Sequence, residues 1–147
     1  MEASGIPEVV AIVGSRGFRD PELVDTIVAR LHKLHPNLLL ISGGAPGVDT
    51  FAENAADAQG FCRCDNIFHR VETAHVHVFP AKWRDDQGNY DRSAGFRRNE
   101  VIVRHSLLVI AFFADGPRTN GTSNTVGHAK RLGVPVLVYH EGKWTDG

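Results

Sequence analysis

Apolar positions along the chain follow two periods. Short continuous apolar runs, of the kind shown by strands buried on both faces, occur at Val9 to Val13, Leu38 to Ile41, Leu107 to Phe113 and Pro135 to Tyr139, with a weaker one at Val76 to Phe79. Between the runs the spacing is helical. Val24, Ile27, Val28, Leu31 and Leu34 share one helix face, with Asp20-Pro21 as N-cap and first helical position and Pro36 as the stop. Val48, Phe51, Ala52 and Ala55 line a second helix that ends at Gly60. Residues 94–105 form a third, with Phe96, Val101 and Ile102 read as facing inward, and Thr122 to Leu132 a fourth that ends at Gly133. This alternation predicts an α/β fold: a Rossmann-like, doubly wound sheet of about five parallel strands.

Length and composition narrow the picture. The 147 residues suit a single domain, with its core over about residues 9–140. Residues 61–74 carry no pattern and read as an insertion. Only 22% of residues are charged and 42% are apolar, which excludes a disordered chain. No apolar run approaches the ~20 residues needed to cross a bilayer, and no signal peptide is evident. The two cysteines, Cys62 and Cys64, are too close in sequence for an unstrained bridge. A cytoplasmic protein without membrane partners is expected. The net charge of −1 argues against nucleic acid as a partner, since such proteins usually show a basic excess. Residues 82–104 hold six Lys and Arg against four Asp and Glu, too weak a basic stripe to reverse that reading.

Glycine supplies the sharpest signal. The chain has 15 glycines, and three clusters directly follow predicted strands: Gly14-Ser15-Arg16-Gly17, Ser42-Gly43-Gly44-Ala45-Pro46-Gly47, and Gly116 to Gly121-Thr122. In an open parallel sheet the loops leaving the carboxyl ends of the strands line the ligand crevice. Glycine there lets backbone N–H groups approach a ligand, and the following helix N-terminus favours an anion. The familiar nucleotide motifs are absent. Gly14 to Gly17 lacks the third glycine of G-x-G-x-x-G, and no G-K-[ST] follows any of the loops. A dinucleotide-dependent hydride transfer and a Walker-type ATPase therefore lack support, and no cofactor is expected.

The order of these motifs resembles the SLOG superfamily, in particular its YspA-like branch. The matching stretches are Gly14-Ser15-Arg16 with Phe18 and Asp20, Ser42-Gly43-Gly44-Ala45 with Gly47-Val48-Asp49, Phe79-Pro80-Ala81 with Trp83, Ala94-Gly95 with Arg98-Asn99, and Gly121-Thr122. The resemblance spans roughly residues 9–138. It implies a modified Rossmann fold that holds nucleotides or nucleotide-derived ligands, as sensor or processing protein, and a homodimer or higher homo-oligomer. Relatives include the cytokinin-activating phosphoribohydrolases and the DNA-processing protein A group, which binds single-stranded DNA. Against the phosphoribohydrolases, Arg98 matches the helix arginine, but Asn99 stands at the lysine position and Thr125 at the catalytic glutamate. The resemblance thus does not carry that branch's carboxylate to this chain.

Each candidate residue has a structural reading beside the functional one. Gly14, Ser15, Gly43 and Gly44 either line the crevice or only permit tight turns. Gly121 and Thr122 present N–H groups and a hydroxyl to a phosphate, or Thr122 only caps its helix. Arg16 and Arg98 suit phosphate or a base, with Asn99 beside Arg98. Trp83 stacks on a base or covers the sheet end. Asp49 is favoured in a first helical turn by the helix dipole, and is also a candidate for a ribose hydroxyl or an acid–base role.

The leading expectation is a small nucleotide-like ligand. The alternatives are a nucleoside-monophosphate N-glycosidase, with Asp49 and Arg98 as catalytic candidates and Asp115 as another carboxylate, and single-stranded nucleic-acid binding. A zinc site from Cys62, Cys64, His69, His75 and His77 is not expected, because C-x-C and H-x-H miss the usual spacings. His75 and His77, alternating with Val76 and Val78, read as one solvent-facing side of a strand.

Overall fold

The computed structural model describes residues 6–63 and 73–146. In chain order the elements are β1 (Val9–Gly14), α1 (Pro21–Leu34), β2 (Leu39–Ser42), α2 (Val48–Ala58), β3 (Cys62–Arg63), β4 (His75–Val78), α3 (Ala94–Arg104), β5 (Leu108–Phe112), α4 (Asn120–Leu132), β6 (Val136–His140) and β7 (Lys143–Thr145). All seven strands join one sheet in the order β3-β4-β2-β1-β5-β6-β7, parallel except for the β6–β7 pair. The direction of winding reverses between β1 and β5, so the crevice outside their carboxyl ends is the expected ligand position.

The continuous apolar runs are strands because both faces of the sheet are covered. Val10 and Ile12 of β1 face α1 and α2 with Val24, Val28 and Ala52, while Ala11 and Val13 face α3 and α4 with Ile102, Val126 and Ala129. Local chemistry sets the helix ends. Asp20 Oδ1 accepts from the Leu23 N–H at 3.1 Å ahead of Pro21, and Gly133 closes α4 in the left-handed region at φ 73°.

Four expectations are corrected. Two strands beyond the five are present, β3 and the antiparallel β7; at two and three residues neither has a periodicity to detect. His75 and His77 are buried, not solvent-facing. They pair in register with Leu39 and Ile41 inside the sheet, and the His77 ring packs on Phe79 at 4.5 Å. Phe96 and Val101 face outward at 47% and 38% exposure, because α3 turns Ala94, Asn99, Ile102 and Val103 to the interior. Finally, α4 begins at Asn120, two residues earlier than its apolar pattern indicated.

The expected insertion over 61–74 lies mostly outside the described residues, as do Cys64 and His69. Among the described residues no group of three or more His, Cys, Asp or Glu side chains is arranged to hold a metal ion. No helix there is long and apolar enough to cross a membrane.

Candidate functional site

The crevice at the β1–β5 reversal is built by loops that lock onto one another. β1 runs on past Gly14, with the Ser15 N–H donating to the Phe112 carbonyl at 2.9 Å. The buried Ser15 hydroxyl bonds that of Thr119 at 3.0 Å, which ties the β1–α1 loop to the start of α4. The β2–α2 loop closes from the other side through Gly47. Its φ of 91° suits glycine, and a Cβ there would sit 2.7 Å from the Arg16 Cα and the Ser15 carbonyl oxygen. The Arg16 backbone is thereby held at the mouth, with its side chain exposed. Ser15→Ala removes the hydroxyl tie alone, and a loss of about 1 kcal/mol is expected, read as a lower urea midpoint at unchanged m-value.

Asp49 lies in the first turn of α2, buried at 5% exposure, and its Oδ2 accepts from the Ala45 N–H at 3.1 Å. Loss of hydration pushes its carboxyl up to about 6, although the Ala45 bond and the Arg98 charge pull the other way. Arg98, from α3, donates through Nη1 to the Gly43 carbonyl and through Nε to Asn99 Oδ1 at 3.1 Å. Its guanidinium is pulled below the usual arginine range by partial burial, opposed by Asp49 and reinforced by the positive charge of Arg16. Two guanidiniums therefore converge on the same space as a carboxyl that holds its proton up to mildly acidic pH.

The start of α4 completes the wall. Its N-cap, Thr119, makes no side-chain bond to the first-turn N–H groups. Asn99 Nδ2 donates to the Gly121 carbonyl at 3.3 Å and to Asn124 Oδ1 at 3.1 Å, so one buried amide ties α3 to α4 and orients Arg98. The crevice has a volume of about 320 Å³ and is open to solvent on one side.

Of the residues singled out in the sequence, Gly14, Ser15, Arg16, Asp49, Trp83, Arg98, Asn99, Gly121 and Thr122 all line this crevice. Gly43 and Gly44 do not. A Cβ on Gly43 would stand 2.8 Å from Asp49 Oδ2 and 3.0 Å from Arg98 Nη1, so this glycine makes room for that pair. Gly44 turns the chain at φ 70° against Val78. Asp115 is exposed and is not among the lining residues. The site also contains Phe96, Ile102 and Thr119, which sequence reasoning missed, together with Gly95 of the matching motif and the buried Thr125, whose hydroxyl donates to the Gly121 carbonyl at 3.3 Å. A helical reading outward from Arg98 finds Gly95 and Ile102 on the same face, one turn to either side.

Comparison with known proteins adds three findings. Residues 8–65 match the family model YAcAr, described as the YspA, cpYpsA-related SLOG family. The Gene 61 protein of Mycobacterium phage D29 is 30% identical over 132 residues, covering 87% of this chain and 93% of that protein. Two solved structures share the fold. DNA processing protein A from Helicobacter pylori, described for its unique single-stranded DNA binding mode, superposes with a TM-score of 0.62 at 21% identity over 92% of this chain. Its counterpart from Streptococcus pneumoniae gives 0.63 at 21% identity, also over 92% of this chain. The chain spans 66% and 51% of those two proteins' lengths.

The exclusion of nucleic acid is corrected by this likeness. A protein of the same fold is described as binding single-stranded DNA, so near-zero net charge does not exclude that partner. The physical reason is that net charge sums over every face, whereas a strand meets only the local field of the surface it touches. Among the residues lining the crevice the cations are Arg16 and Arg98.

Proposed function

The chain belongs to the YspA, cpYpsA-related SLOG family, and from that premise we propose that it binds a nucleotide unit whose phosphate sits in the β1–β5 crevice. The observation that carries the reading is the convergence of Arg16, Arg98 and the α4 N-terminus, which has no side-chain cap, on one space. Guanidinium donors match phosphate oxygens, and first-turn N–H groups add donors and positive potential. Gly121 and Thr122 supply those N–H groups, Ser15 and Thr119 pin the loop that carries Arg16, and Asn99 holds Arg98 in place.

A second reading is favoured by the shared fold with Helicobacter pylori DNA processing protein A: the nucleotide belongs to a single strand. Two guanidiniums neutralise about two phosphates. The affinity for such a strand should then fall with salt at a logarithmic slope of about −1.4.

Calorimetric titration with a panel of nucleoside monophosphates and a thymidine oligomer, with chromatography for released base, tests both. Saturable binding without base release is expected. Base release that Asp49→Asn abolishes would replace the binding reading with an N-glycosidase. Binding of the oligomer alone would favour the strand, and binding of nothing in the panel would overturn both.

A further inference from the structure

Seven large apolar side chains are exposed among the described residues, and three of them gather at the mouth of the crevice: Trp83 at 40%, Tyr90 at 58% and Phe96 at 47%. Isolated exposed apolar residues are ordinary, but a cluster beside a polar cleft marks a contact surface.

The cluster is rigidly made. Trp83 and Tyr90 stack nearly parallel, 12° between planes and 6.0 Å between centroids, and the Arg84 guanidinium lies 5.9 Å over the Tyr90 ring. Arg84 and Tyr90 form an antiparallel bridge, and the Asp91 N–H donates to the Trp83 carbonyl at 2.7 Å. The turn between them is held by Asp85, whose Oδ1 accepts from the N–H groups of Gln87 at 2.9 Å and Asn89 at 2.8 Å. Trp83 also rests against α3, where a Cβ on Gly95 would come within 3.1 Å of its ring. Gly95 stands one helical turn, ~5 Å, before Arg98. An aromatic face and a phosphate-binding guanidinium are therefore adjacent along one helix.

We infer that Trp83, backed by Tyr90 and joined by Phe96, is a stacking platform for the nucleobase of the bound unit. The inference rests on the phosphate reading of the crevice and adds what that reading lacks, a site for the base. Charge complementarity identifies the occupant. The platform is continuous with the two guanidiniums, so its ligand carries a flat apolar group beside an anionic one, and a nucleotide is such a molecule. Stacking is tolerant of base identity, because every base has a π-face. The same chemistry serves a free nucleotide or one unit of a single strand.

Fluorescence tests this directly. The chain has two tryptophans, so Trp144→Phe leaves Trp83 as the sole reporter. In that background adenosine monophosphate is expected to quench the emission and to bind about tenfold more tightly than ribose 5-phosphate, which lacks a base. Trp83→Ala, followed by calorimetry, should erase the tenfold difference between the two phosphates, whereas Trp83→Phe should keep most of it. Quenching by a thymidine oligomer but not by the monophosphate also supports the platform and identifies a strand as the source of the base. Equal affinity for both phosphates with no quenching by any nucleotide overturns the platform and leaves the phosphate site standing. If neither phosphate nor the oligomer binds, the phosphate reading fails and the platform with it. Emission that ignores nucleotides but shifts to the blue as protein concentration rises would assign the lip to a second copy of the chain and likewise overturn the proposal.

Discussion

Arg98→Ala is expected to weaken nucleoside monophosphate binding at least about a hundredfold in a calorimetric titration. A charge-assisted hydrogen bond contributes about 1.5–3 kcal/mol, and a hundredfold corresponds to about 2.7 kcal/mol. The substitution also removes the donor to the Gly43 carbonyl and the partner of Asn99 Oδ1, so neighbouring donors lose their alignment. It should not unfold the protein. Without Arg98 the Asp49 carboxyl loses a positive neighbour and its proton affinity rises further above about 6, which lowers the cost of leaving that buried group without a cation. Arg98→Lys keeps the charge but loses the planar fork, and an intermediate affinity is expected. A loss of less than threefold for Arg98→Ala, with an unchanged urea midpoint, would remove this residue from the binding site.

Asp49→Asn is expected to change the pH dependence of stability more than any other single substitution in the crevice. In the folded chain Asp49 keeps its proton up to about pH 6, against 3.8 for the ordinary carboxyl. The folded state thus binds this proton more tightly than the unfolded one. The stability it brings is complete below pH 3.8 and disappears as pH rises through 6, a difference of about 3 kcal/mol. Asparagine has no such proton and can still accept from the Ala45 N–H. The variant should therefore gain on the wild type as pH rises from 4 to 8, reaching most of that 3 kcal/mol in paired urea unfolding series. Parallel curves for the two proteins would show that folding leaves the Asp49 carboxyl at its ordinary value.

Much of this architecture was legible in the residues, for identifiable reasons. Val9 to Val13 and Leu107 to Phe113 are apolar without interruption because helices cover both faces of the sheet. Asp20-Pro21 announces a helix start that its Leu23 bond confirms. Glycine loops after β1, β2 and β5 lead to the one edge where Gly14, Arg16, Asp49 and Gly121 meet. What escaped depends on neighbours that no local pattern records. His75 and His77 look like an exposed alternation, but β4 lies between β3 and β2, and register puts them beside Leu39 and Ile41. Phe96 seemed to belong inside because it is apolar. The interior side of α3 carries Ala94, Ile102 and Val103 instead, and Asn99 joins them because its amide finds partners in Gly121 and Asn124 of α4. Gly43 clears space for Asp49 and Arg98 and is not among the residues lining the crevice, a role that depends on two side chains distant in sequence. The charge argument failed in the same way, for the acidic residues Glu22 and Asp25 of α1 enter the sum but do not line the crevice.

The locking of the β1–α1 loop, by Ser15 to Thr119 on one side and by the close approach of Gly47 on the other, also has a kinetic meaning. A mouth assembled before any ligand arrives requires no loop to be ordered during encounter, so little binding energy is diverted into shaping the protein. For the nucleotide proposed above, arrival is then expected to be a single step whose speed is set by diffusion and by the pull of the two guanidiniums. Differences among ligands, and among variants of the crevice, fall on residence time.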